Sequence, residues 1–486
     1  MPLIPFGEYR PDVSDYQAQH STHIANVLPR GDGYGPFKDF QPATAALPAS
    51  CRGFFVTRKT DGSVTIFAGT ATRLYQLSNT DFSWTDVSKA GAAYAALASS
   101  DQWQFAQFNN FVFAVQANVP PQVLDLTGAS QFADLGGAPP QARYIAIVGR
   151  FVVLSGLLNN PYRVQWSGLN ATTTWTPGVN QSDVQDLPDG GIVRGVAGGG
   201  FGVIMQDASV RRMAYAPGSP VIFQIERIAE DHGILAPLSL VRDGDRIFYL
   251  ASEGFYTMTA TGAPEPIGKE RVDRTFLADV DPANFQLLIG AADPRASRVF
   301  WSYKSVSGQT GLFDNLLCYD WGLNRWTKIA MSGEYIASLS QPGVTLENLD
   351  AISASIETLP FSLDDVSSAS APELAAVDAD HKLGFFRGGN LEAVLDTAEQ
   401  GTDARRIFVR GFRPIIDAAI VYGSLVSRDT VQAGAAQSAE TPINAIGVCP
   451  QRKSTRYARG RIRVPAGTSW SFAAGLEPDV ILDGLR

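Results

Sequence analysis

The 486-residue chain has little cysteine, little charge and no long apolar run. Its three cysteines, Cys51, Cys318 and Cys449, are far apart and odd in number, so they predict neither a disulfide framework nor a paired-cysteine metal site. The most apolar stretch, residues 144–158, contains an arginine and is too short to span a bilayer. Residues 1–12 lack the basic and apolar segments of a signal peptide. We therefore expect a soluble protein with no membrane insertion, made in a cytosol.

The chain also lacks the common catalytic motifs. It contains no G-x-S-x-G elbow, no H-E-x-x-H helix and no P-loop. The only closely spaced histidines are His20 and His23, and no third ligand accompanies them. The acidic residues are numerous enough to supply the carboxylate pair of a glycosidase, but sequence alone cannot pair them. The candidates are Asp183, Asp186, Asp189, Asp273, Asp279 and Asp281. We expect no cofactor, no metal and no enzymatic activity.

Composition favours a β-rich, turn-rich fold of two to three domains. Hydrophobic residues make up 45% of the chain, and there are 46 glycines and 29 prolines, which punctuate turns. The net charge of −9 disfavours non-specific electrostatic binding of nucleic acid. The charge is uneven, because residues 401–486 hold 12 basic and 7 acidic residues while the first 400 hold 27 and 41. This asymmetry indicates two bodies with different neighbours.

A repeat of about four short strands runs through residues 51–331. Each unit has apolar runs separated by turns and closes on an aromatic residue or a proline, at positions 84, 132, 175, 223, 266 and 326. The spacing is near the roughly 40–50 residues of propeller blades. A four-stranded sheet cannot bury both faces alone, whereas radial stacking of such sheets buries them. The sequence therefore predicts an all-β fold with a six-bladed β-propeller.

Three further parts are expected outside this repeat. Residues 1–50, rich in proline and glycine, predict an extended N-terminal arm. Residues 332–390 break the period and predict a connecting segment. Its hairpin at 374–386 is either a partial extra blade or the start of the next domain. Residues 391–486 carry short apolar runs between turns, which is typical of a smaller β-sandwich-like platform domain.

The densest positive feature lies in this last part. It comprises Arg452, Lys453, Arg456, Arg459, Arg461 and Arg463. On a strand, the last three would share one face, because side chains alternate with a period of two. Such a cluster can contact nucleic acid, remain solvated, or pair with an acidic neighbour. We favour the last, and predict these six residues as a candidate subunit or adaptor interface.

Several motifs, in order along the chain, resemble those of the nozzle group of tailed-phage proteins, also called tail tubular protein B. They are NVLPR at 26–30, GYGPF at 33–37, RVQWS at 163–167, QDLPDGG at 185–191, YDW at 319–321 with RW at 325–326, ADH at 379–381 with LGFF at 383–386, and GVCP at 447–450. The resemblance rests on the order of these motifs and covers nearly the whole chain. Related packaged-DNA stabilisation proteins occupy the same place in the particle.

The resemblance implies a virion structural protein, assembled in the host cytoplasm. Its members form a hexameric ring that continues the portal–adaptor channel, retains packaged DNA and opens for ejection. The implied partners are further copies of the chain, a tail adaptor and tail fibre or needle proteins, with non-specific passage of DNA; the gate residues are unknown. We expect the N-terminal arm and the 332–390 segment to contact neighbouring subunits. The alternatives are a receptor-binding or hydrolase-type propeller of the tail, and a monomeric propeller scaffold that binds a peptide.

Overall fold

The structure, a computed structural model, describes residues 3–60, 62–259, 261–293, 295–339, 355, 372–401 and 405–483. Most of the predicted connecting segment, residues 340–354 and 356–371, lies outside this part. The prediction of an all-β protein is confirmed. The described residues include one α-helix, α1 (Asp273–Asp279), and short 3₁₀ turns at Lys89–Gly91, Pro188–Gly190, Pro237–Ser239 and Pro282–Leu287.

The N-terminal residues form seven short strands, of which four pair with strands from other parts of the chain and three pair only within the segment. They are β1 (Ile4–Pro5), β2 (Glu8–Tyr9), β3 (His20–Ser21), β4 (Ile24–Ala25), β5 (Val27–Arg30), β6 (Gly33–Pro36) and β7 (Gln41–Ala46). Five antiparallel sheets of four strands follow, here called units 1 to 5. Unit 1 is β8 (Phe54–Arg58), β9 (Val64–Gly69), β10 (Leu74–Leu77) and β11 (Trp84–Asp86). Unit 2 is β12 (Gln104–Phe108), β13 (Phe111–Val115), β14 (Gln122–Asp125) and β15 (Ala133–Asp134).

Units 3 to 5 repeat this up-and-down order. Unit 3 is β16 (Ala142–Val148), β17 (Phe151–Leu157), β18 (Arg163–Trp166) and β19 (Asp183–Asp186). Unit 4 is β20 (Val193–Ala197), β21 (Gly202–Gln206), β22 (Ser209–Tyr215) and β23 (Phe223–Glu230). Unit 5 is β24 (Val241–Asp243), β25 (Arg246–Ala251), β26 (Gly254–Thr259) and β27 (Glu265–Pro266).

Two further units complete the series, one more than the six that the sequence predicts. Unit 6 is β28 (Ile289–Asp293), β29 (Arg298–Tyr303), β30 (Phe313–Asp320) and β31 (Arg325–Gly333). Unit 7 is β32 (Tyr335–Leu339), β33 (Glu373–Val377), β34 (Lys382–Phe385) and the N-terminal strand β7. The hairpin that could be a partial blade or a domain start therefore belongs to a seventh four-stranded sheet. The sequence repeat does not reveal unit 7, because the fourth strand of this unit comes from the other end of the chain.

Apolar clusters lie between neighbouring units and close the series into a ring. Separate clusters join units 1 and 2, units 2 and 3, units 3 and 4, and units 4 and 5. Another joins units 5 and 6, and a further one joins units 6, 7 and 1 through side chains such as Phe300, Leu374 and Phe54. Each four-stranded sheet thus buries both faces against its neighbours, an arrangement consistent with a β-propeller.

The remaining strands form two sheets that pack on each other. They are β35 (Ala393–Asp396), β36 (Gln400–Gly401), β37 (Arg406–Ile416), β38 (Tyr422–Arg428), β39 (Ala436–Gln437), β40 (Thr441–Pro442), β41 (Cys449–Thr455), β42 (Tyr457–Val464) and β43 (Ala473–Asp483). One sheet has the order β41-β37-β43-β6-β5, and the other continues from β31 through β4 to β35, β42, β38 and β39. Phe412 on the first sheet and Ile462 on the second share one apolar cluster.

The predicted N-terminal arm is therefore held within its own chain. Strand β4 lies between β31 of unit 6 and β35, β5 and β6 extend a C-terminal sheet, and β7 completes unit 7. Asp12 accepts hydrogen bonds from the backbone of Arg274 and Thr275 at the start of α1, both at 2.8 Å. The segment thus connects the ring of units to the C-terminal sheets by backbone pairing on both sides.

Candidate functional site

Strand β42 confirms one part of the prediction about the basic cluster. Its side chains alternate, so Arg459, Arg461 and Arg463 lie on one half-buried face while Gly460 and Ile462 between them are buried. The alternation follows from the pleat, because every second side chain must enter the apolar layer between the two sheets.

The acidic partners of this face belong to the same chain. The carboxylate of Asp396, whose side chain is fully buried, lies 2.7 Å from Arg461 Nε and 3.3 Å from Arg459 Nε. A second carboxylate, Asp15 of the N-terminal segment, lies 2.9 Å from Arg459 Nη1. The buried carboxylate is thus balanced by two guanidinium groups, which is the condition under which a buried charge is tolerated.

Arg463 is satisfied in the same way. It lies 2.9 Å from Glu392 and 2.7 Å from Glu440. The hydrogen bonds from Arg463 lower the pKa of Glu440, and hydrogen bonding to Glu440 raises the pKa of Arg463. Within the described chain these three arginines hold the C-terminal sheet to β35 and to the N-terminal segment, and their role at a subunit or adaptor interface stays a prediction. No sequence pattern marks these partners, which lie tens to hundreds of residues away along the chain.

The other half of the cluster remains exposed. Arg452 and Lys453 on β41 are exposed, Arg456 is half-buried, and within the described part of the chain none of the three has an ion pair. The register of β41 against β37 shifts between Val409 and Gly411, and Arg452 has a positive φ of 56°. The prediction of an interface role stays a prediction for these three residues.

On the other side of β37, the C-terminal half of β43 forms an acidic edge. Beyond Leu476, β43 pairs with β37 alone, and its outer edge carries Glu477, Asp479 and Asp483. Glu477 and Asp479 also contact arginines of β37, at 3.6 Å and 2.5 Å. Next to these acids Leu482 is 66% exposed, which is unusual for leucine on a strand. A sheet edge with free backbone groups and exposed apolar residues is a typical site for contact with another chain.

The axis of the ring of units contains two connected cavities of about 580 and 560 Å³. Gln104, Tyr144 and Arg194, on the first strands of units 2, 3 and 4, line both. Burial raises the pKa of Tyr144 to about 12, so its phenol is neutral at physiological pH. Cavities of this volume match small-molecule pockets.

Two arginines that line the larger cavity form ion pairs. Arg194 Nε lies 2.6 Å from Asp207, and Arg143 Nε lies 3.3 Å from Asp101. Asp207 directly follows β21, and Asp101 lies in the loop before β12, where it lines the larger cavity. Asp101 and Asp207 are therefore engaged by arginines rather than free.

The six carboxylates considered for a hydrolase do not line either cavity in the described chain. Asp186, Asp189, Asp279 and Asp281 form ion pairs with arginine or lysine. Asp273 is different, since it is 6% exposed and burial raises its pKa to about 7. The remaining member, Asp183, lies on β19 at the outer strand of unit 3.

The histidines lie apart. His20 Nε2 contacts the backbone oxygen of Ser14 at 2.8 Å, and His381 Nδ1 lies 2.8 Å from the buried carboxylate of Glu334. Within the described ranges, no group of three or more His, Cys, Asp or Glu side chains has the placement to hold a metal ion. Nor do those ranges contain a helix of the length and apolarity that a membrane span requires.

No protein-family model and no curated protein matches the chain. Among solved structures, the extracellular domain of the two-component system protein BT4673 from B. thetaiotaomicron is 11% identical over 78% of this chain, with a TM-score of 0.44. This chain covers 44% of that one, less than half its length. BamB from Moraxella catarrhalis is 11% identical over 74% of this chain and 94% of its own, with a TM-score of 0.38. Likenesses at these scores carry no argument about function.

Proposed function

We propose that the chain is a structural subunit of a phage tail or neck, which forms a ring that continues the portal–adaptor channel, retains packaged DNA and opens for ejection. In this proposal the seven units are a β-propeller and the C-terminal sheets are a second, platform domain. The ring is hexameric, its neighbours are the tail adaptor and tail fibre or needle proteins, and it is assembled in the host cytoplasm before it becomes part of the virion.

The observation that carries the proposal is the way in which the N-terminal segment joins the two parts. Strand β4 pairs with Lys328 in unit 6 and with Val394 and Leu395 in β35. Arg271, near α1, bonds to Glu8 of the same segment and to the backbone of Asn324. A subunit that confines DNA under pressure must keep its parts from separating, and pairing of this kind on both sides of the junction resists separation.

The size of the two cavities and the net charge of the chain indicate where DNA would pass in this proposal. The cavities inside one chain, of about 580 and 560 Å³, are far smaller than a DNA duplex needs. The proposed DNA path therefore lies on the axis of the hexamer, between the subunits. The net charge of −9 suits such a path, because an acidic wall repels phosphates and lets DNA slide.

The proposal is tested by cryo-electron microscopy of particles that carry this chain. We expect a sixfold ring around an axial channel, with DNA density ending at or above it. Isolated copies or threefold copies at the periphery of the tail would contradict the proposal and favour the receptor-binding alternative.

A further inference from the structure

Two opposite edges of one small sheet region carry opposite charge. Strands β41, β37 and β43 lie side by side in that order, so β41 and β43 are its two outer strands. Arg452 and Lys453 are exposed on β41, and Asp479 and Asp483 are exposed on β43. Both outer strands are antiparallel to β37 and therefore run parallel to each other. Each copy of the chain thus presents a basic edge, defined by Arg452 and Lys453, and an acidic edge, defined by Asp479 and Asp483, that point in opposite directions.

The acidic edge also offers free backbone acceptors. Ala474 accepts a hydrogen bond from Phe6 of the neighbouring N-terminal segment, so its carbonyl points away from β37. Because backbone direction alternates with a period of two, Pro478, Val480 and Leu482 point the same way. Proline has no N–H to leave unpaired, which fits this direction. In the described chain no strand pairs with this side beyond Leu476.

The basic edge presents side-chain hydrogen-bond donors rather than free backbone groups that could pair with an added strand. The hydroxyl of Thr441 donates to the carbonyl of Pro450 at 2.9 Å, and Arg406 donates to that of Ser454 at 3.1 Å. These bonds occupy two carbonyls along β41, so strand addition there is disfavoured. The long side chains of Arg452 and Lys453 remain exposed and carry only donors.

We propose that in the ring the basic edge of one copy binds the acidic edge of the next. Arg452 and Lys453 would bond to the carboxylates of Asp479 and Asp483 and to the outward carbonyls of Val480 and Leu482. The occupant is a second copy, because the two complementary edges lie on opposite sides of one chain. Such a heterologous contact closes into a ring when the rotation between copies allows it. This inference rests on the proposed ring and names the contact that builds it.

Charge reversal of each edge tests the contact. The variants are Arg452→Glu/Lys453→Glu, Asp479→Lys/Asp483→Lys, and the combination of all four changes, each purified as the full chain. Ring formation is measured against concentration by mass photometry at low and high salt. We expect each two-residue variant to need at least about tenfold more protein to assemble, because like charges then face each other. The four-residue variant should recover assembly, because the edges are complementary again.

Matched controls separate the contact from the fold. Asp483→Lys alone breaks no ion pair of the described chain, whereas Asp479 contacts Arg410, so the single variant guards against loss of folding. Arg58→Glu and Asp245→Lys reverse exposed charges on the ring of units and should assemble as the wild type does.

The outcomes distinguish the two proposals. A wild-type chain that forms rings, with reversed variants that form them equally well, would overturn the edge contact and leave the ring standing. A wild-type chain that stays monomeric at all concentrations would overturn the proposed function and the contact together.

Discussion

The ring of units and the junction with the C-terminal sheets are stabilised in different ways. Neighbouring units meet through apolar clusters, as where Phe67 of unit 1 packs edge-on against Phe132 beside unit 2 at 5.6 Å. The junction shares an apolar cluster with units 5 and 6, and in addition the half-buried arginine face of β42 meets β35 and the N-terminal segment through ion pairs. Apolar contact is non-directional and tolerates small shifts, whereas paired charges need their geometry and their protonation state. The apolar contacts between units should thus be insensitive to pH and salt, whereas the ion pairs at the junction should respond to both.

The largest expected effect comes from the apolar side of this comparison. Trp301 is fully buried, stacks on Trp326 at 5.8 Å and donates to the backbone oxygen of Ser239 at 2.9 Å. Trp301→Ala should lower the free energy of unfolding by about 3–5 kcal/mol, measured by urea denaturation. Half-buried Trp321→Ala is the control, and it should cost less than half as much. Equal losses would contradict the view that the clusters between units dominate stability.

A pH effect of up to about 4 kcal/mol is expected from one buried carboxyl within the ring. Burial raises the pKa of Asp273 to about 7, above its usual value of 3.8. A carboxyl with a raised pKa contributes stability that is complete below about pH 4 and is lost as the pH rises to about 7. Asp273→Asn should remove this dependence, so the variant should gain on the wild type between pH 4 and 7 and hold that gain above. Parallel stability curves for the two proteins would refute the assignment.

At the junction, loss of one carboxylate should cost about 3 kcal/mol. Asp396→Ala leaves Arg459 and Arg461 without their buried partner. The double variant Asp396→Leu/Arg461→Met removes charges of both signs and should lose less, because an apolar pair leaves fewer charges unpaired. Thermal unfolding of the three proteins gives the comparison. A double variant that is less stable than the single one would contradict this expectation. It would show that the attraction between Asp396 and Arg461 stabilises the junction by more than the cost of one unpaired buried charge.

The smallest effect is expected where a similar pair is exposed. Asp479 and Arg410 form an ion pair whose side chains are 50% and 56% exposed. Asp479→Ala should change the free energy of unfolding by less than about 1 kcal/mol, because water and salt screen such pairs. Urea denaturation at two salt concentrations measures this change. A loss as large as that of Asp396→Ala would show that the exposed pair and the buried pair contribute equally to stability.

Local patterns in the sequence predict local structure well here. The alternation of Arg459, Arg461 and Arg463 predicts their shared face on β42, and the recurring apolar runs predict the four-stranded sheets of units 1 to 6. The partners of those arginines and the seventh unit depend on contacts between distant parts of the chain. No period or composition shift marks Asp15 as a neighbour of Arg459, which is 444 positions away. Charge density alone therefore identifies the strand but not these partners within the chain.

Closure of the ring by β7 has a consequence for the order in which the protein can be made. The backbone N–H of Leu383 on β34 bonds to the hydroxyl of Thr44 on β7, across 339 positions of sequence. During synthesis, units 1 to 5 can pack on one another as they leave the ribosome, while the strand pairing of Gln41–Ala46 with β34 cannot form until β34 has been translated. One of the first strands to be synthesised is thus among the last to be ordered. Closure of the ring of units therefore requires the chain through β34, and a product truncated before Lys382 would leave the sheet of unit 7 incomplete.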